Sequence, residues 1–209
     1  MNTEIEIKLT IAPSAIQKLL KSRFICNLPT SAGQKILQNS YYDTDDWQLH
    51  SQKIALRVRK SDQQYIQTLK TQGSSEQGMH QRLEWEWDLS SDQLDFSLLP
   101  SDHWPAEIDT NTIKQQFTTN FTRQLWYIQH IDQQGAQSLV EMALDQGQVA
   151  TVHSAETLEI SELELELVNG KPVALTEIAA QLIEQCVELV PSDISKAARG
   201  FALLKRVRG

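Results

Sequence analysis

Charged residues in this chain recur two apart in short runs. Glu4, Glu6 and Lys8 alternate with Ile5, Ile7 and Leu9, and Arg57 and Arg59 flank Val58. Thr68 and Lys70 flank Leu69, and Arg82, Glu84 and Glu86 alternate with Leu83, Trp85 and Trp87. Glu162, Glu164 and Glu166 alternate with Leu163, Leu165 and Leu167. Residues two apart on a strand share a face, so each run has one charged and one apolar side. On a single strand that pattern is the ordinary wet side of a half-buried sheet. Across the chain, however, some faces are acidic and others basic. A row of three glutamates repels itself unless something positive faces it. If the sheet closes, these faces line an interior that cannot be left unsatisfied. Converging Arg and Lys side chains suit a polyanion with many oxygens, and the arginine fork matches phosphate. The carboxylates beside them would repel that anion. A hard divalent cation, Mg²⁺ or Mn²⁺, resolves the conflict by taking carboxylate oxygens on one side and phosphate oxygens on the other. This is the layout of metal-assisted phosphoryl chemistry.

The elements that must position these residues follow from the same periodicity. Alternation predicts strands at 4–11, 35–43, 54–60, 64–71 and 80–89, with a hairpin turn at Ser61-Asp62-Gln63 and a loop over 73–79. Ser14 is placed to cap a helix at 15–22. Residues 90–120 lose the period and read as short helices broken by Pro100 and Pro105. Strands resume at 121–131, 138–145, 147–154 and 157–168, with turns at Gln133-Gln134-Gly135 and Gln146-Gly147. Helices are expected at 174–189 and 193–205. The reading is one α+β domain of about eight antiparallel strands, without repeats or linkers.

Composition narrows the partners. A net charge of -8 disfavours nonspecific nucleic-acid binding, which needs a broad basic surface. Cys26 and Cys186 are far apart and form no C-x-x-C, which fits a reduced cytoplasmic protein. The start MNTEIEIKL lacks a secretory pattern, and no apolar stretch reaches membrane-spanning length. His50, His80, His103, His130 and His153 show no metal-ligand spacing. No GxxxxGK[ST], GxSxG or GxGxxG is present. Trp85 and Trp87 are read as barrel-to-helix packing residues. The expectation is a small-molecule substrate, with no nucleic acid and no membrane; oligomeric state is not readable.

The ordered motifs resemble the CYTH family, also called triphosphate tunnel metalloenzymes. They are Glu4-Ile5-Glu6-Ile7-Lys8, YYDT (Tyr41–Thr44), LRVR (Leu56–Arg59), TLK (Thr68–Lys70), RLEWE (Arg82–Glu86), ELELEL (Glu162–Leu167) and SKAARGF (Ser195–Phe201). The resemblance implies the α+β fold of a closed eight-stranded antiparallel β-barrel, the triphosphate tunnel, with helices packed outside. It implies triphosphate bound by Lys8, Arg57, Arg59, Lys70, Arg82, Arg123 and Lys196, with Lys8, Lys70 and Tyr41 as the catalytic group. Metal ligation would fall to Glu4, Glu6, Glu162, Glu164 and Glu166, while Asp145 either orients a basic residue or reaches a metal. For Arg123 and Lys196 a surface salt bridge is the competing reading.

The family's activities include inorganic triphosphatase, thiamine-triphosphatase and adenylyl cyclase, and the fold does not choose among them. The His-Phe pair that precedes E-x-E-x-K in the bacterial cyclases is missing here, and no aromatic-rich tunnel mouth is evident. Inorganic triphosphate (tripolyphosphate) is therefore the preferred substrate. The other reading is a non-catalytic polyphosphate- or nucleotide-binding module. Such chains are often fused to a helical CHAD domain, so residues 1–209 read as one CYTH-like domain whose ending, Leu204–Gly209, could begin a linker.

Overall fold

The computed structural model describes residues 2–29 and 31–208. Ten strands form one antiparallel sheet: β1 (Asn2–Thr10), β2 (Gly33–Asp43), β3 (Ala55–Ser61), β4 (Gln64–Lys70), β5 (Ser74–Glu76), β6 (Met79–Leu89), β7 (Lys114–Ile131), β8 (Gln137–Thr151), β9 (Ser154–Asn169) and β10 (Val190–Pro191). Their order is β10-β1-β9-β8-β7-β2-β3-β4-β6-β5. A further pairing of β1 with β6 joins the two ends, so eight strands close into a barrel and β5 and β10 are short additions. Closure leaves the eight barrel strands no free edge and turns one face of every strand into an interior.

The outward apolar residues of β1, β8 and β9 (Ile7, Leu9, Met142, Leu144, Leu163 and Leu165) are buried beneath helix α4 (Val173–Gln185), through its Ala174, Leu175, Ile178 and Leu182. Two short helices, α1 (Ile16–Leu20) and α2 (Arg23–Cys26), complete that cover. The short α3 (Gln48–Ser51) follows β2. It is fixed by buried Asp43, whose carboxylate accepts from the backbone N–H groups of Thr44, Leu49 and His50.

The last helix, α5 (Lys196–Arg208), behaves differently. It packs on the inward face of the barrel, where Phe117, Phe121, Val149 and Ile160 meet its Phe201 and Leu204. Gly200 is required there, because a Cβ would fall 2.0 Å from the Phe117 ring. The helix therefore plugs one end of the barrel instead of lying outside it. No helix among the described residues is long and apolar enough to cross a membrane.

Several local expectations are corrected. The helix expected at 15–22 breaks at Ser22, which is extended and accepts from the Ile25 N–H to cap α2; Ser14 lies in a 3-10 turn and caps nothing. The loop over 73–79 contains β5, paired with β6. Within 90–120 there are only 3-10 turns at Phe96–Leu98 and Thr110–Thr112, and β7 already begins at Lys114. Gln146-Gly147 is not a turn, since 138–145 and 147–151 belong to the single strand β8. The glycine answers to close approach instead: a Cβ at 147 would lie 2.1 Å from the Asn120 carbonyl of β7. Helix 174–189 ends at Gln185, and helix 193–205 begins at Lys196 and runs through Arg208. The ending expected as a linker is thus helical, and Gly209 lies outside the described residues. Trp85 packs with Leu56, Leu69 and Ile108, and against His103 with ring centroids 4.6 Å apart, under the 90–113 excursion and not under a helix.

Candidate active site

The inward charged faces meet in a cavity of about 240 Å³ inside the barrel. Its wall holds most of the residues singled out from the sequence. Glu4, Glu6 and Lys8 come from β1, Tyr41 from β2, Arg57 and Arg59 from β3, and Lys70 from β4. Arg82 comes from β6, Arg123 from β7, Glu164 and Glu166 from β9, and Lys196 from the first turn of α5. Asp145 and Glu162 do not line the cavity. They are fully buried behind it, bonded to Arg123 and Lys196. The surface-salt-bridge alternative for Arg123 and Lys196 is excluded, because both point inward and are almost wholly enclosed.

Three further wall residues were given no role from the sequence: Glu84, Glu86 and Glu141. The first two share the inward face of β6 with Arg82, as their alternation with Leu83, Trp85 and Trp87 indicates, and Glu141 lies four residues before Asp145 on the same face of β8, so parity could have found it too. Arg199 is a fourth. It pairs with Glu162 at 2.7 Å and lies three residues after Lys196, on the same side of the helix.

Register decides which charges meet. At the β1–β6 seam Glu4 faces Arg82; Lys70 Nζ lies 2.6 Å and Arg82 Nε 2.7 Å from its two oxygens. Burial pushes the Glu4 carboxyl up, but the Lys70 and Arg82 charges outweigh it and hold it well below the usual carboxylate range. One step along, Lys8 faces Glu164. Glu164 also meets Arg123 and Lys196; burial again works against its charge, and Lys196, Lys8 and Arg123 prevail. Lys8 is 2% exposed; burial disfavours its charge, yet Glu164 and Glu6 keep it more firmly protonated than an ordinary lysine.

Two places lack this balance. In the first, Glu6 on β1 faces Glu166 on β9, which faces Glu141 on β8. Three glutamates thus stand side by side across adjacent strands. Burial, then the charge of Glu4, push the Glu166 carboxyl up to about 7. In the second, Arg59 makes no ion pair among the described residues. Its Nε donates to the Oδ1 of buried Asn39 at 2.9 Å, and Asn39 itself donates to the Thr119 carbonyl. Burial, with Arg57 and Arg123 nearby, lowers the Arg59 guanidinium to about 10. Tyr41 faces Arg57 across the β2–β3 pair and stacks on Phe117 with ring centroids 4.7 Å apart. Burial raises its phenol, but Arg57 and Lys196 bring it below the ordinary tyrosine value.

Acidic and basic side chains are equally numerous on the wall, and Asp145 and Glu162 add negative charge behind it. A polyanion entering this tunnel needs a cation with it. The donor set fits one: in the Glu6–Glu166–Glu141 row Glu6 is reached by Lys8 at 3.3 Å and Arg82 at 3.5 Å and Glu141 by Arg123 at 4.0 Å, while Glu166 between them has no ion pair among the described residues and offers hard oxygens. The three-carboxylate group Asp145, Glu162 and Glu164 is already neutralised by Lys196 together with Arg123 and Arg199.

Comparison with known proteins agrees with this geometry. The family model described as the CYTH domain matches residues 2–201. An inorganic triphosphatase of Haemophilus influenzae is 32% identical over 205 residues, covering 97% of this chain and 55% of that protein; the chain spans about half the length of that curated relative. Among solved structures, a Hippeastrum protein described as an adenylyl cyclase candidate with a dominant triphosphatase activity superimposes with a TM-score of 0.66. It is 19% identical, over 97% of this chain and 95% of that one. A protein of Pyrococcus horikoshii OT3 gives a TM-score of 0.59 at 18% identity, over 97% and 99% of the two chains. At these identities the structural likenesses establish the fold.

Proposed function

The chain belongs to the CYTH domain family, and from that premise and the charge layout of its tunnel we propose that it hydrolyses inorganic triphosphate to pyrophosphate and phosphate with a divalent cation, Mg²⁺ or Mn²⁺. The observation that carries this reading is the polarised wall. The Glu6–Glu166–Glu141 row, whose central Glu166 has no ion pair among the described residues, faces a tunnel whose far side presents Arg57 and an Arg59 that likewise has no ion pair among them. A binding module needs only the basic half.

The metal would be held by Glu6, Glu166 and Glu141 with Glu4 beside them, supplying charge neutralisation and a more acidic bound water. The remaining work falls to side chains of the chain itself. Arg57, Arg59, Lys70, Arg82 and Arg123 present donors to phosphate oxygens along the tunnel and stabilise charge that builds on the departing pyrophosphate. They also hold the terminal phosphorus in line for water. Water adds to that phosphorus, the bridging P–O bond breaks, and pyrophosphate leaves. Lys8, locked in its protonated form between Glu164 and Glu6, serves as a fixed positive charge and not as a proton acceptor. Tyr41 and Lys70, on the same wall, hold the proton at the leaving oxygen.

Tripolyphosphate is preferred to its esters because, among the described residues, Tyr41 is the one aromatic ring on the cavity wall, leaving little to stack on a base or a thiamine ring. The test is phosphate release from tripolyphosphate, ATP and thiamine triphosphate, each with Mg²⁺, Mn²⁺ or EDTA, alongside a cyclic-AMP assay. Fast, EDTA-sensitive release from tripolyphosphate with little from ATP is the expected result. Tight polyphosphate binding without turnover would make the tunnel a receptor.

A further inference from the structure

Three buried carboxylates in contact normally call for a metal or a shared proton. Asp145, Glu162 and Glu164 each offer an oxygen within 4.8 Å of the others, and the first two are completely buried. The space between them is nevertheless filled. Lys196 Nζ lies 2.7 Å from Asp145, 2.5 Å from Glu162 and 2.9 Å from Glu164. Two of the ammonium's three donors are hydrogen-bonded, to Glu162 and Glu164, and Asp145 is held by charge at ion-pair distance. The same nitrogen stands 4.8 Å from the centroid of the Phe121 ring, which adds a cation–π contact. Neighbouring groups close the cage. Arg123 makes two bonds to Asp145, at 2.8 and 2.7 Å, and Arg199 lies 2.7 Å from the second oxygen of Glu162.

We infer that Lys196 is the resident cation of this cage. It is a positioning residue, delivered by α5 to the place a divalent cation would otherwise take. Two consequences follow. The plug helix is fastened at its first turn by charge as well as by the apolar contacts of Phe201 and Leu204. Exogenous metal is confined to the Glu6–Glu166–Glu141 row, so Glu162 and Asp145 are not metal ligands while Lys196 is present. The first consequence stands on geometry alone, and the second rests on the metal reading proposed above.

The experiment counts Mn²⁺ bound to the phosphate-free chain, by loss of the free-ion EPR signal, with folding checked by circular dichroism. K196M keeps the side-chain stem against Phe121 and removes the charge. It is expected to bind one equivalent more than the wild-type chain, and the added equivalent is expected to vanish in K196M/D145N. An unchanged stoichiometry in folded K196M overturns the assignment. If K196M does not fold, D145N and E162Q in the Lys196-bearing chain decide. Unchanged Mn²⁺ binding in both supports it, and loss of an equivalent in either overturns it. A wild-type chain that binds no Mn²⁺ beside a K196M chain that binds one would sink the metal reading of the row and leave Lys196 as the cage's cation.

Discussion

Glu164 and Glu166 are the same residue type, two apart on one strand, facing one cavity, yet their charges meet opposite conditions. Around Glu164 three separate elements deliver a cation: Lys8 from β1, Arg123 from β7 and Lys196 from α5. Directly across from Glu166 stand Glu6 and Glu141. The first carboxyl is held well below the usual range and the second rises to about 7. Strand parity selects which side chains enter a barrel, while register selects whom they meet. Only the second decides whether a carboxylate fastens the fold or waits for a metal.

The comparison breaks most visibly in activity. E6Q or E166Q should lower metal-dependent triphosphate hydrolysis by at least about 100-fold, since losing even a supporting residue behind a metal ligand costs about 10–100-fold. E162Q should act through stability instead. It leaves Lys196 and Arg199 short of a buried partner, a loss of about 3–5 kcal/mol, visible in urea unfolding without metal. Excess Mg²⁺ should restore part of the E6Q activity and none of the E162Q stability. Equal activity losses in E6Q and E162Q, both recovered by Mg²⁺, would erase the distinction between the two groups.

A smaller effect is expected where cations are in excess. Arg59 has Asn39 as its partner in place of a carboxylate, so its charge remains available to the tunnel. N39D would place a carboxylate against that guanidinium. Charge-assisted hydrogen bonds are worth about 1.5–3 kcal/mol, so KM for tripolyphosphate should rise by about 10–100-fold with kcat less affected. R59A should match it in size. A normal KM in both variants would put Arg59 outside the path of the phosphates.

The sequence was legible where charge alternated with Leu, Ile, Val or Trp. There period two assigned both faces, and Glu4 through Lys8 or Glu162 through Leu167 could be read at sight. It was opaque at the start of β7, where Phe117 is the one large apolar residue from Lys114 to Asn120 and a register shift at Tyr41/Tyr42 leaves Gln116 out of the pairing, so the period is lost before 121. Gly147 misled because glycine marks turns and close approaches alike, and only the neighbouring strand shows which applies. The separation of cation-paired Glu164 from unpaired Glu166 was invisible for a deeper reason. It depends on the pairing of β9 with β1 and β8 and on α5 entering the barrel, and local sequence specifies none of these contacts. Lys196 carried a helical signal and a family match, but nothing in SKAARGF announces that its ammonium sits among Asp145, Glu162 and Glu164.

The finest test reads Glu166 without any metal. Its folded value of about 7 exceeds the ordinary carboxylate value of 4.5, so the folded chain disfavours the ionised form. Stability should therefore be intact below about pH 4.5 and decline as pH rises through 7. E166Q removes that decline, so its gain should be absent at pH 4.5 and full at pH 8. A shift of this size, reduced for partial solvent contact, corresponds to about 1–2 kcal/mol. For a chain of this length that means a Tm higher by about 2–8 °C in EDTA at pH 8. Adding Mg²⁺ should then raise the wild-type Tm more than that of E166Q, because only the wild-type row regains a counter-charge. If E166Q instead lowered the Tm at pH 8 in EDTA, Glu166 would already have a cationic partner, and the row would be as neutralised as the cage around Lys196.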